Sequence, residues 1–190
     1  MTINRELIRQ CAENDRKAQH ELYRLCYATL MSICSRYYVN NEDARATLNL
    51  GFLKILQSLK SNHSIIESFE AWIKKLMINT VIDEHRKNKS YKMSVQLHDN
   101  ESSYENQDEN IDWNLAEKKL EAETLIKMIR KLPNQEAKVF NLYAIDGYKH
   151  NEISDLLQIP VGTSKWLLSE ARRKLRNEVE SALNSKVVLK

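Results

Sequence analysis

From Leu22 onward, apolar side chains return every third or fourth residue, with Leu25, Cys26, Leu30, Ile33, Cys34 and Tyr37 on one stripe of a predicted helix. Asn40 or Asn41 is placed to cap the next helix, and Glu42 and Asp43 fall in its first turn, where the helix dipole favours carboxylates. Its inner face is predicted from Leu48, Phe52, Ile55, Leu56 and Leu59. The polar stretch Lys60–Ser68 interrupts the pattern, and Phe69, Ile73, Leu76, Met77 and Thr80 begin a further helix that is expected to end near Asp83–Lys89. Together these predict a first helical domain over residues 1–92.

Over Met93–Ile111 the periodicity is lost and Asp99, Glu101, Glu105, Asp108 and Glu109 accumulate, which predicts an acidic linker spanning 93–111. A second domain over 112–181 opens with a helix through Leu115, Ala122, Ile126 and Ile129. Leu132-Pro133-Asn134 stops that helix and starts one that carries Val139, Phe140, Leu142 and Tyr143 and ends at Gly147. Residues 182–190 are expected to form a tail.

Composition sharpens the fold class. Three Gly and two Pro in 190 residues are far fewer than the roughly 12% of average usage, so the turn punctuation of sandwiches, barrels and βαβ units is missing. The expectation is an all-α chain of two small helical domains. Charge is segregated: residues 1–92 hold 15 basic and 10 acidic side chains, 93–124 hold 2 and 9, and 125–190 hold 12 and 7. Two basic modules flanking an acidic stretch suit contact with a polyanion, although solvated helix faces give the same pattern. Cys11, Cys26 and Cys34 lack the spacing of a disulfide framework or zinc site and read as buried apolar residues, so neither metal nor cofactor is expected. With no signal core and no bilayer-length apolar run, a cytoplasmic chain without membrane insertion is expected. Asp83-Glu84 lacks a third metal ligand, and no Gly-rich phosphate loop or nucleophile elbow points to an enzyme.

The most specific pattern lies at Tyr148–Arg176. Ile153, Leu156 and Leu157 give a short helix its apolar face, Gln158-Ile159-Pro160-Val161 supplies a tight turn, and Leu168, Ala171 and Leu175 set the helix Gly162–Leu175 against it. This is a predicted helix-turn-helix, a unit whose second helix enters the major groove. Arg172, Arg173, Lys174 and Arg176 can neutralise phosphates at its C-terminal end.

These residues carry a family resemblance. Leu132-Pro133, Phe140-x-Leu142, Glu152-Ile153, Gly162-Thr163-Ser164-Lys165 and Ala171-Arg172 resemble region 4 of the sigma-70 family, in particular its extracytoplasmic-function (ECF) group. Asp43-Ala44, Phe52-Leu53-Lys54, Ala71-Trp72-Ile73 and Asn79-x-x-x-Asp83-x-x-Arg86-Lys87 resemble region 2. The resemblance implies a non-catalytic transcription initiation factor whose partners are core RNA polymerase, through its clamp helices and flap, and promoter DNA. It implies polymerase docking through Asp43, Asn49, Phe52, Leu53 and Leu56. It further implies capture of an unpaired -10 base by the Lys60–Ser68 loop and the helix after it, with Lys74, Lys75, Asn79, Arg86 and Lys87 on the melted strand. Trp72 could stack on a base, yet an aromatic at this helical spacing is more often core; Asn79 reads equally as a base contact or as helix packing, and the acidic linker as a phosphate mimic or a plain spacer. For the -35 element the implied contacts are Thr163, Lys165, Trp166, Arg172, Arg173 and Arg176.

Where the family shows Asp-Ala-Glu-Asp and a following Gln, this chain has Asp43-Ala44-Arg45-Ala46 and Asn49, which thins the acidic contacts to the clamp. The groove-facing set Thr163, Trp166, Leu167 and Glu170 is unusually apolar. An exposed Trp166-Leu167 pair also suits a protein anchor, so recruitment by a second DNA-bound protein is an added expectation, as is an anti-sigma partner. The alternatives are a helix-turn-helix regulator, or a protein-binding adaptor, acting without polymerase.

Overall fold

The computed structural model describes residues 3–62, 68–92 and 124–187, and among them no strand occurs. The chain divides into two compact units, Met1–Asn100 and Glu101–Lys190.

The first unit contains α1 (Arg5–Ala12), α2 (Arg16–Tyr37), α3 (Asn41–Asn62) and α4 (Phe69–Lys92). Each helix starts where a short polar side chain satisfies orphan backbone N–H groups. The Asn4 carboxamide accepts from the Glu6 amide at 3.0 Å, Asp15 from Lys17 and Ala18 at 2.7 and 3.1 Å, Asn40 from Glu42 at 2.8 Å, and the Ser68 hydroxyl from Ala71 at 3.4 Å. Asn40, rather than Asn41, is therefore the cap of α3. α2 packs on both α3 and α4, and α1 lies against α2 and α3. Leu22, Leu30, Leu48, Ile55, Leu59, Ile73, Met77 and Ile82 are sealed from solvent in the resulting core. Gly51 permits the close approach of α3 to α4, because a Cβ there would collide with the Met77 Cε and lie 2.7 Å from its Sδ. The three cysteines are free and buried, and burial pushes their thiols up, to about 11 for Cys11 and about 12 for Cys26 and Cys34. Leu25, expected on the buried stripe, is 42% exposed because its angular position on α2 turns away from α3 and α4.

The second unit contains α5 (residues 124–131), α6 (Asn134–Phe140), a π-helical turn (Asn141–Ile145), α7 (His150–Leu157) and α8 (Val161–Val187). The π turn widens the helix after Phe140: the Asp146 amide reaches the Asn141 carbonyl at 2.9 Å, and Gly147, at φ +76°, lets the chain reverse into α7. α6 and α7 both pack on α8 around Val139, Leu142, Ile153, Leu168 and Ala171. α8 continues well past the expected end at Leu175 and takes in most of the expected tail, since no Gly or Pro stops it. Likewise α4 runs to Lys92, beyond the expected end. The acidic linker, the helix opening at Leu115 and Ala122, and the middle of the Lys60–Ser68 loop lie outside the described residues.

Candidate nucleic-acid interface

In the first unit, two surfaces carry the expected site residues. On α3, Asp43 and Asn49 are exposed and Leu53 is 55% exposed, with Leu56 half-buried one turn on. The Tyr23 hydroxyl donates to the Asn49 Oδ1 at 2.9 Å, so this surface is braced from α2. Phe52 corrects the expectation. It is only 7% exposed, with its ring edge-on to Tyr23 at 5.0 Å between centroids, and so acts as a core residue beneath the surface rather than part of it.

On α4 the basic side chains are already matched with carboxylates. Lys74 Nζ lies 2.6 Å from Glu70, Lys87 Nζ 2.8 Å from Glu84, and Arg86 3.9 Å from Asp83, which Lys54 also approaches at 3.7 Å. Lys75 is exposed. Trp72 is half-buried and tilted against Phe69, with centroids 5.7 Å apart. The Asn79 Oδ1 is turned inward, buried and, among the described residues, without a hydrogen-bond partner.

The helix-turn-helix of the second unit is built by local bonds. The Glu152 carboxylate accepts from the Lys149 amide at 2.8 Å and fixes the start of α7. At its other end, Gln158 adopts φ 54°, and the Ser154 hydroxyl donates to the Ile159 carbonyl at 2.6 Å. The Ser164 amide then bonds the Pro160 carbonyl at 3.0 Å, which begins α8. α7 and α8 are cross-linked where the His150 Nδ1 lies 2.9 Å from the fully buried Ser164 hydroxyl. The His150 ring stacks on Tyr143 at 4.5 Å, and the Arg172 guanidinium sits over the Tyr143 ring, 5.6 Å from its centroid. Partial burial, together with Lys165 and Arg172, lowers the His150 pKa. Hydrophobic periodicity does not reveal this stack, because Tyr143, His150 and Ser164 come from three different elements and share no sequence motif.

Along the outer face of α8, Lys165, Arg172 and Arg176 are exposed, Thr163 is half-buried, and Trp166 is 58% exposed. Leu167 is a correction: at 7% exposure it belongs to the core, so the expected Trp-Leu surface pair reduces to Trp166. Lys174 also departs from its expected place on phosphate. It lies 2.8 Å from Glu136, whose side chain is 7% exposed, and ties α8 to α6. Arg173 pairs with Glu170 at 2.7 Å, and that hydrogen bond holds the Glu170 carboxyl below the usual range. Among the described residues, no group of three or more His, Cys, Asp or Glu could hold a metal ion, and no helix is long and apolar enough to cross a membrane.

Residues 22–91 match the model of sigma-70 region 2, and residues 122–175 match that of sigma-70 region 4. The two matches together cover more than half of the chain, in the order of the family. The chain belongs to the sigma-70 family. It is 25% identical over 177 residues to the ECF RNA polymerase sigma factor SigW of Bacillus subtilis, a span of 90% of this chain and 94% of SigW. The likeness to this ECF sigma factor extends over nearly the whole of SigW. Among solved structures, the sigma factor RpoE in complex with the anti-sigma factor NepR from Bartonella quintana superposes with a TM-score of 0.54 at 13% identity, covering 85% of this chain and 96% of RpoE. CnrH in complex with the cytosolic domain of CnrY gives a TM-score of 0.49 at 18% identity, with 93% and 97% covered.

Proposed function

We propose that this sigma-70 protein is a transcription initiation factor, not an enzyme, that binds core RNA polymerase and directs it to promoters. The observation that carries the reading is the joint presence of region 2 and a region 4 helix-turn-helix whose outer face carries Lys165, Arg172 and Arg176 with no salt bridge among the described residues. In this reading α3 docks on the polymerase clamp through Asp43, Asn49, Leu53 and Leu56, and the second unit meets the flap. α4 follows the melted -10 strand with Lys74, Lys75, Arg86 and Lys87. The Lys74–Glu70 pair is half-exposed and the Lys87 ammonium is exposed above a partly buried Glu84; pairs at the surface are worth about 0–1 kcal/mol, so exchanging them for phosphate costs little. Asn79 reads a base only if its inward carboxamide turns out; as it stands, the helix-packing role is the better supported. α8 enters the -35 major groove with Thr163, Lys165 and Trp166 near the bases and Arg172 and Arg176 towards phosphate, while Arg173, expected there too, is engaged by Glu170.

An anti-sigma factor is a further proposed partner, since a protein of this fold is seen bound to one. A recruiting DNA-bound protein at α8 is supported only by the exposed indole of Trp166, because Leu167 is buried. A regulator or adaptor acting without polymerase is the competing class. Gel filtration of the full chain mixed with core polymerase separates them: co-elution at equimolar ratio is expected, and independent elution of the two in low salt would refute the initiation-factor reading.

A further inference from the structure

The outer face of α8 holds one large apolar group and one anion where a DNA-binding helix ordinarily carries small polar or basic residues. Trp166 is 58% exposed and Glu170 lies one turn beyond it, on the same side of the helix. We propose that these two side chains read bases in the -35 duplex, Trp166 through a thymine methyl group and Glu170 through the amino group of a cytosine. The inference rests on the reading of α8 as the groove helix and adds the base chemistry it selects.

Three observations favour duplex DNA as the occupant of this face. With Leu167 buried, the apolar surface is a single indole, too small for a hydrophobic protein interface yet well sized to cover a thymine methyl. The same helix also carries the exposed Lys165, Arg172 and Arg176, which among the described residues form no salt bridge and supply charge complementary to phosphate. Finally, Glu170 is neutralised in place. Arg173 reaches its two carboxylate oxygens through Nη2 at 2.7 Å and Nε at 3.4 Å. A carboxylate offers about four acceptor sites, so the ion pair leaves room for a cytosine N4–H donor while it removes the repulsion an unpaired anion would meet near phosphate. Four residues along a helix lying in the groove span roughly 6 Å, or about two base-pair steps at 3.4 Å each. The thymine and the cytosine are therefore expected about two positions apart.

The test is selection of randomised -35 sequences by holoenzyme assembled from core polymerase and the full chain, followed by affinity measurements on the selected site. A T and a C about two positions apart are expected. Replacing that thymine with deoxyuridine removes only the methyl and is expected to weaken wild-type binding about fourfold, the worth of one buried methyl; Trp166→Ala is expected to abolish this discrimination, and Trp166→Phe to retain part of it. Glu170→Gln is expected to move the selected base from cytosine towards adenine, which a Gln side chain prefers, with cytosine losing on the order of tenfold. An unchanged deoxyuridine penalty in a well-folded Trp166→Ala variant overturns the thymine contact, and unchanged selection by Glu170→Gln overturns the cytosine contact. If Trp166→Ala lowers transcription only when a second DNA-bound protein is added, the indole is a protein anchor and the base-reading proposal is wrong. Failure of the holoenzyme to select any -35 sequence would instead refute the groove-helix reading on which the proposal stands.

Discussion

The two units reach a helical fold by different means. In the first, long helices of 22 to 24 residues press Leu, Ile, Met and Cys side chains into a core in which, among the described residues, Thr47 and Thr80 are the polar residues buried whole, beside single buried polar atoms such as the Asn79 Oδ1. In the second, the short α6 and α7 pack on the long α8 around a smaller apolar core and bury Glu136, Asn141 and Ser164 with it. Part of that unit is fixed by directed polar contacts, Lys174 to Glu136 and His150 to Ser164. The contrast extends to the surfaces: Lys74, Arg86 and Lys87 of α4 stand paired with carboxylates, whereas Lys165, Arg172 and Arg176 on α8 form no salt bridge among the described residues. A unit held by non-directional burial tolerates surface exchange, and a unit held by placed polar bonds fixes the orientation of one helix, which is what reading base edges requires.

The largest effect is expected in the apolar core. Leu48 is fully buried, and Leu48→Ala should cost about 2–5 kcal/mol through lost burial and a residual cavity, read by denaturant unfolding. A loss under about 1 kcal/mol would mean that the first core collapses freely. Next is Lys174→Met, which leaves the Glu136 carboxylate buried without its cation. Because the Lys174 side chain is 37% exposed, the expected loss is about 1–3 kcal/mol, and Glu136→Gln in the same chain should restore part of it. Full additivity of the two substitutions would show that the pair does not cross-link the unit.

A smaller effect separates the units by pH. Burial raises the thiols of Cys11, Cys26 and Cys34 from an ordinary 9.0 to about 11, 12 and 12, so folding favours their neutral form. That contribution is complete below pH 9 and is lost as pH rises through the folded values. The first unit, which holds all three, should lose stability above pH 9 in circular dichroism melts, and triple Cys→Ala substitution should flatten the dependence. The smallest expected change is functional. Removing Arg86 and Lys87 should lower the salt slope of binding to melted -10 probes by about one per lost phosphate contact, with folding intact. Asp43→Ala with Asn49→Ala should weaken polymerase binding while leaving helicity unchanged, Asn49 giving up only an exposed bond to Tyr23.

Much of this was legible in the sequence, and for physical reasons. A period of 3.6 exposes itself wherever a helix is long and buried on one side, so the stripes of α2, α3 and α4 were readable from Leu22 to Thr80. The helix-turn-helix was equally readable, because its turn and apolar spacing are local. The short α1 was not, since Leu7, Ile8 and Cys11 span too few turns to establish a period. Leu25 departs from its expected place because angular position alone does not say which flank of a stripe a neighbouring helix covers, whereas periodicity put Phe52 on the inner face and its burial contradicts only the docking role that the resemblance implies. The turn at Asn141–Ile145 could not be seen, as a π turn adds one residue without changing composition. At the candidate interface the charges were visible but their pairing was not. That Lys174 turns inward to Glu136, 38 residues away, depends on how α6 packs against α8.

The central claim is that the two units act together to start transcription. Run-off transcription with core RNA polymerase on a pool of promoter fragments, with and without the full chain and with 5′ ends mapped, tests it most directly. Discrete new start sites sharing one -10 and one -35 sequence, present only when the chain is added and lost with Asp43→Ala and Asn49→Ala, are the predicted result. An identical set of transcripts with and without the chain, under conditions where both proteins are folded, would contradict it.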